Sequence, residues 1–227
     1  SRDLGTYIGL ENPHIVPGGR FREMYYWDSF FSMLGLEKRG ELLRQMIENF
    51  ASLVDRFGMI PNGNRSYYLS RSQIPLFGEM VRLLPENERT GYLDQLEAEY
   101  GFWMNTERCV KTEGARLNRY WDSRNDPRPE SYREDVKIRE KSSRDKVCRN
   151  IRAACESGWD FSTRWTEDGS LETIRTTEIL PVDLNSVLYG RELQLSRIHS
   201  KKGNTEKAEK YRKEAEQRGR MIERLFW

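Results

Sequence analysis

Apolar residues recur along this chain at spacings of three and four, the period of helices that turn one face inward. The clearest run covers residues 41–57, where Leu42, Leu43, Met46, Ile47, Phe50, Leu53, Val54 and Phe57 keep the period. Gly58 follows where a left-handed residue closes a helix. Residues 25–36 read as a second, largely buried helix. The same pattern predicts helices over 72–84, with Pro75 in the first turn, over 88–104, over 143–155 and over 183–199. A last helix over 206–226 turns Ala208, Tyr211, Ala215, Ile222 and Leu225 inward, with Asn204 as its N-cap. That makes about seven helices and almost no strand alternation, which argues for an all-α array of helical hairpins.

Composition narrows the classes. The 227 residues carry 38 Lys and Arg against 36 Asp and Glu, a net charge of +2. So even a balance argues against a nucleic-acid binder, which carries a basic excess. No apolar run approaches the ~20 residues of a membrane helix, and no signal peptide opens the chain. A chain of this length buries roughly 70% of its unfolded surface, and the aromatic content argues against disorder. Cys109, Cys148 and Cys155 show neither a disulfide framework nor a zinc spacing. Cys148 and Cys155 share a helix face and read as small buried hydrophobes. As free thiols they tip the compartment toward the cytoplasm rather than the periplasm or the outside. His14 and His199 make no metal-ligand spacing. Acid and base chemistry therefore falls to carboxylates.

Residues 122–146 differ, since 15 of these 25 positions are charged. Most of the stretch reads as a solvated linker, and 136–146 as exposed surface. Its first part, with aromatics and prolines among the charges, does not fit that description.

Four segments are unusual for a plain helical protein: PGGRFREMYYWDSF from Pro17, IPNGNRSYYLSRSQ from Ile60, NRYWDSRNDPRPESY from Asn118 and ESGWDFSTRW from Glu156. Each sets Arg, Asn, Asp, Glu or Gln beside Trp, Tyr or Phe near a predicted helix end. That mixture suits a neutral, hydroxyl-rich ligand such as a sugar. Aromatic rings pack on its C–H faces, and charged groups bond its hydroxyls strongly. No phosphate-binding glycine loop is present. Paired carboxylates, as in glycoside hydrolysis, are the best available chemistry. Asp160, between Trp159 and Phe161, fits a general acid whose charged form is disfavoured by poor solvation. The plain alternative for Asp160, and for Asp28, is a helix N-cap. Arg20, Arg71 and Arg128 read singly as surface or ion-pair arginines, but all three sit in aromatic-rich loops.

At these residues the sequence resembles the trehalases, glycoside hydrolases that split α,α-trehalose into two glucoses. PGGRFREMYYWDSF, IPNGNRSYYLSRSQ, RPESY, ESGWDFSTRW and LPVDLN follow the family's segments in order, from Ile15 onward. The resemblance implies an (α/α)6 toroid, hydrolysis with inversion, and no metal or cofactor. It makes Asp160 the general acid and Gly158 part of the same pocket. Arg20, Trp27, Asp28, Asn62, Arg71, Ser72, Gln73, Arg128, Pro129 and Glu130 become contacts to the sugar. The family's general base is a downstream glutamate, and its second signature is also downstream. Neither occurs here. The expectation is therefore that residues 1–227 form the N-terminal half of one catalytic domain, inactive alone and completed by the other half. A related inverting α-glucosidase of the same architecture, or a non-catalytic sugar-binding fragment, are the alternatives.

Overall fold

The computed structural model describes residues 5–36, 40–112 and 114–227. Among these the helices are α1 (Tyr26–Leu34), α2 (Gly40–Phe57), α3 (Phe77–Arg82), α4 (Glu86–Arg89), α5 (Leu93–Met104), α6 (Tyr132–Lys141), α7 (Val147–Ser157), α8 (Val182–Lys201) and α9 (Thr205–Phe226), with 3-10 turns between them. None is long and apolar enough to cross a membrane. The period of residues 41–57 becomes α2, with Leu43, Met46, Ile47, Phe50, Leu53 and Val54 buried. Gly58 closes it at φ +70°. Cys148 and Cys155 lie on the buried face of α7, as free thiols. Helices α8 and α9 form a long antiparallel hairpin across Lys202–Asn204, and α5 packs on α8 and α2.

Several expectations are corrected. Of residues 72–84 only Phe77–Arg82 is helical, so Pro75 precedes the helix instead of opening it. The residues before it use their backbone elsewhere: Arg71 O accepts from Asn62 N at 3.2 Å, and Ser72 N donates to Glu156 Oε1 at 2.8 Å. The run at 88–104 breaks into α4, a 3-10 turn at Thr90–Tyr92, and α5; Gly91 at the break is a poor helix former. Asn204 precedes α9 without a side-chain cap bond, because its amide faces His199 Nδ1 at 3.4 Å. Met221 is buried near the end of α9, whereas Leu225 is exposed.

Two elements were not expected. Residues Cys109–Thr112 (β1) and Ala115–Asn118 (β2) form an antiparallel hairpin in which Cys109 faces Asn118. Four-residue strands are too short to print a period. Packing holds this pair: Asn118 Nδ2 donates to Trp103 O at 2.6 Å, and Asn118 N to Asn185 Oδ1 at 2.9 Å. The second element is α6, inside the stretch read as solvated linker. Most of it is exposed, but Asp135 is fully buried.

The core is also more polar than periodicity implies. Arg218 of α9 donates to Glu192 Oε1 at 2.9 Å, to Asn185 Oδ1 at 2.8 Å and to Asn118 Oδ1 at 3.1 Å. One side chain thereby ties α9 to α8 and β2. Removing one partner of a buried pair leaves the other charged and unsatisfied. Arg218→Ala in the full-length protein should therefore cost about 3–5 kcal/mol, read as a lower urea midpoint. Replacing Arg218 and Glu192 together with methionines should recover most of that loss.

Candidate active site

Five chain segments converge on one cleft. The turn Gly18–Phe21 is closed by bonds from Gly18 N to Phe21 O (3.1 Å) and from Phe21 N to Gly18 O (3.0 Å). Positive φ at Gly18 and Gly19 permits it. The turn presents Arg20, whose guanidinium stacks 4.8 Å from the Phe21 ring centre. Among the described residues Arg20 makes no ion pair. The first turn of α1 carries Trp27 and Asp28, and Trp27 N donates to Gln73 Oε1 at 3.0 Å. In the loop from Ile60, Arg71 Nε donates to Asn62 Oδ1 at 3.0 Å and Nη2 to Glu130 Oε1 at 2.6 Å. Arg128, Pro129 and Glu130 lead into α6. The fifth segment follows α7.

That helix stops at Gly158, where φ is +72°. A Cβ there would lie 2.6 Å from Trp27 Cε2, so the indole packs on the glycine. Trp159, Asp160 and Phe161 follow, and the Asp160–Phe161 peptide is cis. Asp160 is not the helix cap its position allowed. The next turn, Thr163–Trp165, is capped by Ser162 Oγ, which accepts from Arg164 N at 3.3 Å. Asp28 likewise makes no capping bond, since α1 has no side-chain cap.

The cleft measures about 690 Å³ and is lined by Arg20, Asn62, Arg71, Gln73, Arg128, Glu130 and Asp160 from the candidate set. The remaining candidates sit around it. Trp27 and Gly158 form a packed pair, Asp28 acts electrostatically on Asp160, and exposed Pro129 starts a 3-10 turn. Ser72 is fully buried, with Oγ donating to Ile60 O at 2.6 Å. The lining also includes Phe21, Tyr25, Tyr67, Tyr68 and Cys155, which were not singled out from the sequence. The four aromatics fall within the unusual segments, so their signal was the segment itself. Another hollow of about 640 Å³ lies between Arg82, Arg89, Arg197 and Lys201. It has no aromatic wall, and Arg82 and Lys201 are already paired with Glu79 and Glu86.

Burial raises several carboxyl groups here, Asp160 of the cleft lining among them. Asp160 as a whole is exposed, yet enough protein crowds its carboxyl that burial raises its pKa. Arg128 and Arg71 oppose this rise, and the charge of Asp28 adds to it. Burial also raises Asp28. Burial pushes the Cys155 thiol up to about 11 despite Arg71 and Arg128 beside it, so it stays protonated near neutral pH. Glu156, fully buried, is raised by burial and held by Arg108, whose Nη2 lies 2.7 Å from Oε1. Among the described residues no group of three or more His, Cys, Asp or Glu could hold a metal ion.

The scaffold is mainly helical, and its cleft is lined by arginines, aromatic rings and carboxyl groups, among them Asp160 with its raised pKa. The chain belongs to the trehalase family, whose model matches residues 3–227. It is 47% identical over 244 residues to a periplasmic trehalase of Xanthomonas campestris, covering 98% of this chain and 43% of that one. It is 45% identical over 243 residues to a periplasmic trehalase of Escherichia coli, with the same coverage. The chain thus spans less than half the length of these relatives. In structure it resembles neutral trehalase from Saccharomyces cerevisiae, with TM-score 0.76 and 24% identity, over 97% of this chain and 50% of that chain. The expected all-α (α/α)6 architecture is the fold of that neighbour.

Two predictions follow from this geometry. Gly158→Ala meets both the positive φ and the Trp27 ring, so it should destabilise the full-length protein by more than about 1 kcal/mol. Thermal melting and a changed near-ultraviolet signal from Trp27 would register it. The second concerns pH. A carboxyl raised by folding binds its proton more tightly in the native state. The stability it contributes is present below the ordinary carboxylate pKa and lost as pH rises through the raised value. Stability of the wild type relative to Asp28→Asn/Asp160→Asn should therefore fall across that window in urea titrations at successive pH values. A difference that does not vary with pH would contradict the raised values.

Proposed function

We propose that this chain provides the general acid and much of the sugar-binding surface of an enzyme hydrolysing α,α-trehalose to two glucoses with inversion. The observation that carries the reading is Asp160, a carboxyl with an elevated pKa in one cleft with Arg20, Arg71, Arg128 and Glu130. The names of the relatives support trehalose as the substrate. Protonated Asp160 donates to the oxygen joining the two glucoses as the bond from that oxygen to one anomeric carbon breaks. A water attacks the opposite face of that carbon and loses its proton to a second carboxylate. We place that base, a glutamate, outside these 227 residues, about 6.5–9.5 Å from Asp160 to leave room for the water. The arginines and Glu130 bond the hydroxyls, and Arg71 and Arg128 stabilise the Asp160 carboxylate left after proton transfer.

In this reading residues 1–227 are the N-terminal part of a single glycoside hydrolase domain, and the remainder closes the open side of the cleft. The relatives are named periplasmic, so we adopt a periplasmic location against the cytoplasmic one the free thiols favoured.

Asp160→Asn in the full-length protein should lower glucose release from trehalose by about 10²–10⁴-fold. Circular dichroism and trehalose binding should be retained. Near-normal turnover would reject the assignment, and preference for maltose or isomaltose would reassign the substrate.

A further inference from the structure

Arg128 is held on three sides. Asp135, fully buried in the first turn of α6, accepts from Arg128 N at 2.8 Å, Nε at 2.9 Å and Nη2 at 2.6 Å. Arg128 Nη1 donates to Cys155 Sγ at 3.0 Å. The guanidinium lies 5.1 Å from the Phe161 ring centre. Arg128 itself is 7% exposed.

We propose that Asp135 is a positioning residue, acting on the substrate through Arg128. The inference rests on the proposed reading of Arg128 as a sugar contact. An arginine is long and flexible, and it recognises hydroxyls in a fixed geometry only when its fork is locked. Asp135 takes the Nε and Nη2 edge of that fork with both oxygens, which orients the plane of the guanidinium. Cys155 and Phe161 then bound it on the remaining sides, and Phe161 is the residue next to the acid. Asp135 also sits where a carboxylate favours a helix start. A helix-starting role alone does not require three bonds to one arginine, including one from its backbone. The sequence hid this residue because it lies in a charge-rich helix most of whose other positions are exposed.

A double-mutant cycle separates positioning from general support. The variants are Asp135→Asn, Arg128→Met and the pair, made in the full-length enzyme and assayed for kcat and KM on trehalose. Asp135→Asn alone should lower kcat/KM roughly 10- to 100-fold, the scale of a displaced contact. In the Arg128→Met background the same change should alter kcat/KM by no more than about two-fold. Equal losses in both backgrounds, or unchanged kcat/KM for Asp135→Asn, would overturn the proposal. Full activity of Arg128→Met would instead overturn the reading of Arg128 as a sugar contact, and the positioning role with it. Should Asp135→Asn fail to fold, Asp135→Glu keeps the charge and shifts the fork by one methylene. A lower kcat/KM is expected there, and a wild-type value would overturn the proposal.

Discussion

Every buried arginine among the described residues ends on a carboxylate. Arg71 reaches Glu130, Arg108 reaches Glu156, Arg128 reaches Asp135, Arg152 reaches Asp122, Arg191 reaches Glu99 and Arg218 reaches Glu192. A guanidinium removed from water is costly unless an opposite charge and well-directed bonds offset the loss. Its planar fork makes the match with a carboxylate directional. These pairs therefore constrain where the helices lie as well as whether they pack. Arg191 ties α8 to α5, and Glu99 of α5 also accepts from Tyr26 Oη of α1. Glu156 of α7 takes Arg108 and the backbone N of Ser72 and Trp121, which pins two loops beneath the cleft.

The contrast with the cleft is instructive. Arg20, Asp28 and Asp160 make no ion pair among the described residues, although Arg71, Arg128 and Glu130 line the same cleft as Arg20 and Asp160. Asp122 and Asp135 anchor Arg71 and Arg128, and Glu130, itself in the cleft lining, pairs with Arg71, so these pairs fix the orientation of both guanidinium groups. Side chains locked in this way present their remaining donors in a fixed geometry. The elevated pKa of Asp160 follows from the same arrangement. Burial raises it more than Arg128 and Arg71 lower it.

Helices with a long amphipathic run were legible in the sequence. Residues 41–57 carry many apolar positions on one face, and their burial as α2 overrides local detail. Short or mostly exposed elements were not legible. The four-residue strands are held by Asn118 contacts to Trp103 and Asn185, partners distant in sequence. Helix α6 is mostly polar and exposed, and is held by buried Asp135 and by Ile138 against the core. The candidate site was found through unusual mixtures of aromatic and polar residues at helix ends. That signal pointed to Arg20, Asp28, Arg71, Arg128 and Asp160, and the family resemblance added Asn62, Gln73 and Glu130; all of these but Asp28 line one cleft. The resemblance did not separate wall from support, so it gave Gly158 and buried Ser72 alongside Arg20.

What the sequence determined by itself is the helical class, through periodicity, the four unusual segments, through local composition, and the family, through the resemblance of its motifs. A linear chain displays all three. Tertiary structure alone decided which charged groups are spent in pairs and which remain open. It also decided that Asp160 feels burial, Arg71, Arg128 and Asp28 together. Pairing and desolvation depend on distances between residues far apart in the chain, and no local pattern encodes those distances.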